Sequence, residues 1–421
     1  MFAQSYIAGM KKMPAIFILL LLYSCITFSQ QTIKGRVITA VGGTPVAGSS
    51  VFISNTSKGT TADKEGKFEI TDVPFGKHEL VISSIGYETS VFSFSSEQLP
   101  LQVRVEMTLK VKELQNVTVE PSVEEGWNKW GKLFTDNFIG QTPNAAHCRI
   151  KNEKAIHFRF FKKSNRVIAY ADEPIILENK ALGYKISYQL EEFEVSFKTR
   201  ATIFSGYPLF EDLDKTRKKW ERNRDKAYYG SMQHFMYCLY HDSMQQQGFE
   251  VRRMVRIPNK EKERVKEAYR RMRSTRTAPG GSLFITTNKD SLRTASPDSV
   301  EYYDRVLQQD DYKEIYGRDI LTADSLILES DKNYKSVFFT DYLYITYKNE
   351  IEDAEYILFH NEKRSRTFQR SYITLANQQP IIIDVNGNYY PPQEVFSSAY
   401  WGWSEKMADF LPIDYKPTKD K

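Results

Sequence analysis

Across residues 31–108, short runs of β-branched and aromatic residues are cut by Gly, Pro, Asn and Asp at intervals of about 8–12 residues. No other feature of the chain limits the fold as much. Strands this short bury a core only by stacking face to face, so the segment predicts a seven-stranded Greek-key β-sandwich. Gly59, Gly66, Gly76 and Gly86 stand where the chain must reverse, and glycine tolerates the positive φ that reversals require. Asp63 falls at a turn tip, where its carboxylate can bond the backbone just beyond it.

The residues ahead of the sandwich set its compartment. Lys11 and Lys12 lead into an apolar run over 15–28, broken only by Ser24 and Thr27. A charged start followed by a stretch too short to span a bilayer comfortably is the pattern of an export signal. Residues 1–29 are therefore expected to be a signal peptide opening at Met10 and cleaved after Ser29, with Thr27 and Ser29 as the small residues before the cut. Lipidation at Cys25 is the rival processing, and the bulky Tyr23 argues against it. No second apolar run of about 18 residues appears, so no membrane-spanning helix is expected in the mature chain. The expected location is outside the inner membrane, in the periplasm or associated with the outer membrane. A net charge of +5, from 58 basic and 53 acidic residues, is close to balance and gives no reason to expect nucleic acid as partner. Cys148 and Cys238 survive cleavage, and an oxidising compartment permits a Cys148–Cys238 bridge.

The same residues carry a family resemblance. Gly35-Arg36-Val37, the turn Pro45-Val46-Ala47-Gly48 and the inward pair Val51 and Ile53 open the pattern. Gly59-Thr60-Thr61-Ala62-Asp63 and Gly66-Lys67-Phe68 come next, then Val73-Pro74-Phe75-Gly76 and Ser84-Ile85-Gly86-Tyr87. Residues 31–108 resemble the carboxypeptidase regulatory-like domain, a transthyretin-like sandwich of Bacteroidota-type envelope proteins. The one departure is Ala62, where that family usually has threonine. The resemblance implies an accessory domain, not a peptidase. Such sandwiches often precede TonB-dependent receptors, but the residues behind this one are too few for a receptor barrel and too helical for a barrel wall.

Residues 109–125 read as a last partial strand running into a linker, and 126–418 as an α+β domain with a large antiparallel sheet and a helical insert. Strands are expected over 155–161, 166–171, 184–190, 193–197 and 201–204, and again over 336–339, 342–347, 356–359 and 381–384. Asn386-Gly387 marks a hairpin after the last of these. Helices are expected over 231–246, 260–273 and 299–307, with Val265, Tyr269 and Met272 on the buried face of the second.

The search for chemistry excludes more than it finds. None of the six histidines begins an H-x-x-E or an H-E-x-x-H, which removes the zinc-ligand spacing of metallocarboxypeptidases. No G-x-S-x-G nucleophile elbow occurs. Gly126 to Lys132 has the spacing of a phosphate loop, but Leu133 stands where Ser or Thr must hold magnesium. No catalytic residue and no cofactor is assigned, and zinc is the one metal with candidate ligands. His234, Cys238 and His241 recur at i, i+4 and i+7 of the helix over 231–246, nearly opposite Met232, Met236 and Leu239. Two of the three would share a zinc with His147, Cys148 or His157. The plainer reading is a helix packed on both sides.

Residues 250–276 hold eight Arg and three Lys against four Glu. The run from Arg252 to Arg276 suits an anionic membrane surface or acidic polymer, or else a solvated helix face. Tyr389, Tyr390, Tyr400, Trp401 and Trp403 gather flat rings around Gly402. Exposed, such rings stack on sugars; buried, they build a core. The leading expectation is a non-catalytic exported envelope protein, using the sandwich as an interaction module and the α+β domain to bind an envelope protein or glycan. Two others stand beside it. One is a hydrolase with its site in the α+β domain, using scattered Asp and Glu or, with a metal, the His234–Cys238–His241 face. The other is a glycan-binding accessory of a polysaccharide uptake system, working through Tyr400, Trp401 and Trp403.

Overall fold

Alternation of buried and exposed side chains builds the first unit of the computed structural model. The described residues are 31–110, 120–214, 218–272, 275–277, 283–285 and 297–418, and over 269–300 only the backbone is described. The expected signal peptide, Cys25, and the side chains of Tyr269, Met272 and Arg270 to Arg276 lie outside them. In Lys67–Ile70 every second residue points inward. Phe68 and Ile70 meet Ile33, Val37, Val51, Ile53, Leu80 and Ile82 in one core. Two sheets enclose it. One runs Lys67–Ile70, Ile33–Thr39, Leu101–Met107, and the other Gly59–Thr61, Ser50–Ile53, Lys77–Ser83, Ser90–Ser95. This is the sandwich that the turn spacing predicts. Gly66 shows why the turn demands glycine: its φ is 75°, and a Cβ there would lie 2.3 Å from the Val37 carbonyl oxygen. Asp63 is a turn residue, its Oδ1 accepting the backbone N–H groups of Glu65 and Lys67 at 2.9 and 2.7 Å.

Two large sheets stand where one was expected. The first has seven strands and takes in the end of the expected linker, because Ser122–Glu125 pairs with Ile156–Phe161. The strands expected over 184–190 and 193–197 are one, Tyr184–Ser196, which keeps its pairing with Ala201–Asp212 through a register shift between Leu190 and Glu192. A bulge kinks a ladder without ending it. The helix Trp127–Phe138 covers this sheet, with Phe134 centred 4.6 Å from Phe193 and 5.9 Å from Phe158.

The second large sheet runs Tyr312–Tyr316, Phe249–Pro258, Tyr342–Ile351, Phe368–Leu375, Val395–Ala399. A smaller sheet, Ile327–Ser330, Tyr334–Val337, Ile381–Asp384, Tyr389–Tyr390, shares its core. The helix Met232–Tyr240 belongs to that core, where Phe235 and Leu239 join Val251, Ile345 and Ile373 of one sheet and Ile381 and Ile383 of the other. The Asn386-Gly387 hairpin forms as expected, with Ile383 opposite Tyr389. The segment over 356–359 is not a strand. It ends the helix Ala354–Phe359, with Tyr356 and Ile357 inward and Leu358 and Phe359 outward. A short apolar run without alternation does not distinguish the two. Of the expected insert, Lys260–Met272 and Pro297–Leu307 are helical and bury Val265 and Val306.

Residues 400–418 tie these units together. Tyr400, Trp401 and Trp403 enter the core under the five-stranded sheet, while Met407 and Ala408 enter that of the seven-stranded sheet. Beyond them, Ile413 N–H donates to the Asn55 carbonyl at 2.7 Å, and Asp414 accepts the Ser57 hydroxyl at 2.6 Å. The sandwich also touches both units directly. Phe210 N–H donates to the Thr56 carbonyl at 3.0 Å on one side. On the other, Asn386 Nδ2 donates to the Phe75 carbonyl at 3.1 Å and Phe75 stacks on Tyr334. Gly76, with φ 128°, lies so close that a Cβ there would sit 2.2 Å from Asp384 Oδ2. Several sandwich loops therefore contact the chain's own units.

Candidate binding cleft

The residues that the sequence marks as metal ligands do not come together. His234 is 3% exposed, its ring 5.0 Å from Phe249 and 5.1 Å from Tyr228, with Nδ1 accepting Gly230 N–H. Burial lowers its pKa to about 4. Cys238 is fully buried in the same core, whereas His241 points away and bonds the Val385 carbonyl through Nε2. His157 bonds Asp172 at 2.7 Å. The helix is packed on both sides, so His234, Cys238 and His241 form no separate donor face. Among the described residues no group of three or more His, Cys, Asp or Glu is placed to hold a metal ion.

Cys148 and Cys238 are free thiols in different cores, so the bridge between them is not formed. Burial pushes both up to about 12. Trp401 and Trp403 are 2% and 5% exposed and offer no ring to a sugar, whereas Tyr400, 5% exposed, lines the cleft between the seven-stranded and five-stranded units. Trp401 Nε1 donates to the Gly230 carbonyl at 2.8 Å, which accounts for the burial of a polar ring. The basic run divides between a strand and a helix. Arg252 pairs with Glu250, Arg256 with Glu314, Arg264 with Glu261, and Lys262 and Lys266 with Asp311.

A cleft of about 530 Å³ opens between the seven-stranded and five-stranded units. Ser404, Glu405 and Asp409 come from the segment that ties the units together, Thr142 and Asn144 from the turn after the first helix, and Asn223 and Lys226 from the helix Lys218–Tyr228. The opposite wall holds Glu350, Ile351, Asp353, Arg366, Phe368 and Gln369.

Its polar groups hold one another in place. Asp409 accepts the Thr142 hydroxyl at 2.5 Å and Asn144 Nδ2 at 2.7 Å. Glu405 accepts Met232 N–H at 3.0 Å, Asp353 accepts the Tyr400 hydroxyl at 3.0 Å, and Glu350 accepts Gln369 Nε2 at 3.1 Å. Burial lifts the Glu405 carboxyl to about 7, with the Asp409 charge adding to the lift. Asp409 is lifted to about 6, again chiefly by burial, with Asp353 adding to it. Burial also lowers the Lys406 ammonium. Ile351 and Phe368, opposite each other in the ladder, remain 49% and 45% exposed and give the cleft an apolar wall. No histidine or cysteine lines it.

Fixed donors, acceptors and both signs of charge beside an exposed ring suit a polar ligand with some apolar surface. Sequence reasoning missed this site. Its residues are spread from Thr142 to Asp409, and the one local sign, carboxylates four apart at Glu405 and Asp409, reads as an ordinary solvated helix.

Comparison with known proteins bears mainly on the first unit. Residues 33–119 match the CarboxypepD_reg-like domain family. A TonB-dependent receptor of Formosa agariphila is 36% identical over 106 residues, and the match spans 24% of this chain and 9% of the receptor. Among solved structures, an interface mutant of a type II cohesin–X-dockerin complex from Acetivibrio cellulolyticus is 25% identical, covering 18% of this chain and 51% of the other at a TM-score of 0.15. A putative membrane-associated protein of unknown function from Bacteroides fragilis is 9% identical, covering 83% and 92% at a TM-score of 0.16. Scores this low carry no argument about the larger units.

Proposed function

We propose that this chain, whose residues 33–119 are a carboxypeptidase regulatory-like domain, is an envelope-associated, non-catalytic binding protein that holds a polar, sugar- or peptide-like ligand in its cleft. The domain and the likeness to a TonB-dependent receptor fit an envelope setting. Among the described residues no helix is long and apolar enough to cross a membrane. The pattern over residues 1–29 supports export to the periplasm or the outer membrane. In this reading the sandwich braces the two units that form the cleft.

The observation behind the binding reading is the cleft itself. Its volume falls in the range of about 300–1,000 Å³ typical of ligand sites. Its polar groups are already oriented, so a ligand meets them with little further ordering. The test is calorimetric titration of the mature chain with neutral oligosaccharides, acidic oligosaccharides and short peptides. Saturable binding that weakens in Asn223→Ala and in Phe368→Ser, with melting temperature unchanged, supports the reading. No saturable binding to any class, or binding indifferent to both substitutions, overturns it.

The hydrolase reading draws on the lifted carboxyls of Glu405 and Asp409, since a carboxyl titrating near neutrality can act as a general acid. It ranks second because each carboxylate is already engaged by protein donors. It requires turnover of a glycan or peptide that Glu405→Gln abolishes.

A further inference from the structure

The hairpin between Tyr342–Ile351 and Phe368–Leu375 carries an excursion over residues 352–367 whose base is clamped shut. Glu352 N–H donates to the Thr367 carbonyl at 2.9 Å. The Glu352 side chain, 2% exposed, accepts both guanidinium nitrogens of Arg364 at 2.6 and 3.0 Å, together with the Thr367 N–H and hydroxyl at 3.1 and 3.2 Å. A buried carboxylate bonded on this scale holds its partners in one arrangement.

The clamp keeps apolar surface in water. Tyr356 and Ile357 anchor the helix Ala354–Phe359 in the core, while Leu358 is 77% and Phe359 52% exposed beyond them. Ile351 and Phe368 extend the apolar surface at the foot of the loop. Around it stand Lys363, Arg366 and Arg370, all exposed and in no salt bridge among the described residues. Among the described residues, Arg366 donates to the Glu352 carbonyl. On the acidic side, Glu362 is engaged by Arg364, Asp353 turns to Tyr400 and Lys226, and Glu355 is exposed without an ion pair among the described residues. The unpaired charge is therefore positive in excess.

We propose that this loop docks on an anionic lipid surface, with Leu358 and Phe359 entering the acyl boundary and Lys363, Arg366 and Arg370 meeting the headgroup phosphates. Protruding apolar side chains within a cationic surround match an interfacial membrane contact, where buried apolar area and attraction to anionic lipid add. A pocket on another protein is the competing occupant. Anchors of that kind sit among contacts that exclude water, whereas the surround here is charged. The clamp fixes the loop in advance, so little ordering remains to oppose docking.

Sedimentation of the mature chain with phosphatidylcholine vesicles, with and without one quarter phosphatidylglycerol, tests this. Binding is expected only with the anionic lipid and falls as salt rises. The double variant Leu358→Ser, Phe359→Ser should bind about tenfold more weakly or worse. Lys363→Glu and Arg370→Glu should each weaken it about fivefold or more. The Phe359→Trp variant gives a direct reading, because its emission shifts to the blue when the ring enters lipid. Binding without that shift, equal binding to neutral vesicles, or no vesicle binding at all overturns the proposal. None of these four positions lines the cleft, so the outcome leaves the ligand reading to its own test.

Discussion

Replacing Glu405 with glutamine separates two opposed effects at the floor of the cleft. The Glu405 carboxylate accepts the Met232 N–H at the start of the helix Met232–Tyr240. There the helix dipole favours negative charge by roughly 0.3–1 kcal/mol. Burial acts the other way and lifts the carboxyl from 4.5 to about 7. The folded chain therefore holds this proton more tightly than the unfolded one. The resulting stability is complete below 4.5 and is lost as pH rises through about 7. At about 1.36 kcal/mol per pKa unit the lift corresponds to roughly 3 kcal/mol. Solvent at the cleft mouth screens a half-buried group, so about 1–2 kcal/mol is expected.

Glutamine keeps the acceptor and removes the charge. Glu405→Gln should match the parent near pH 4 and exceed it by about 1–2 kcal/mol near pH 8. Urea unfolding followed by tryptophan emission reads this well, because Trp401 and Trp403 lie in the adjoining core. A variant weakened equally at both pH values would show that the dipole outweighs desolvation, and the reasoning would fail.

Trp401→Ala should cost about 3–5 kcal/mol in urea unfolding, since it empties a buried site and strands the Gly230 carbonyl. The chain from residue 30 onward, unfolded without reductant, should titrate two thiols, and fewer would restore the Cys148–Cys238 bridge. Gly76→Ala should loosen the sandwich from its neighbour by about 1 kcal/mol or more, because φ is 128° and Asp384 occupies the space. Faster hydrogen exchange in Lys77–Ser83 and around Tyr334, with the seven-stranded sheet unaffected, is the expected signature. Protection unchanged in both places refutes it.

The first unit was legible because its determinants are local. Gly66 and Asp63 act within a few residues of themselves, so turn spacing alone places the strands. Strand pairing in the rest is not local, and one expected sheet proved to be two. Phe249–Pro258 was read only as a charged run, because the charges of Arg252 and Arg256 mask the inward residues Phe249, Val251 and Met254. The structure supplies their partners, Glu250 and Glu314, the second from a distant strand. His234 and Trp401 misled for one reason: each carries a polar atom, yet each packs by its ring and satisfies that atom on Gly230. The cleft was invisible because no two of its walls are neighbours in sequence.

The placement of residues 400–418 has a consequence for how the chain comes to be folded at all. Trp401 closes one core, Met407 another, and Asp414 bonds Ser57 across 357 positions. A chain that emerges N-terminus first therefore carries unfilled apolar faces until this stretch arrives, and contacts of such span are slow to form. Any change that halts synthesis before residue 400 leaves the cores of both larger units incomplete together and the sandwich without its contacts at Asn55 and Ser57. Such products would be cleared by quality control instead of persisting as a shortened but working protein.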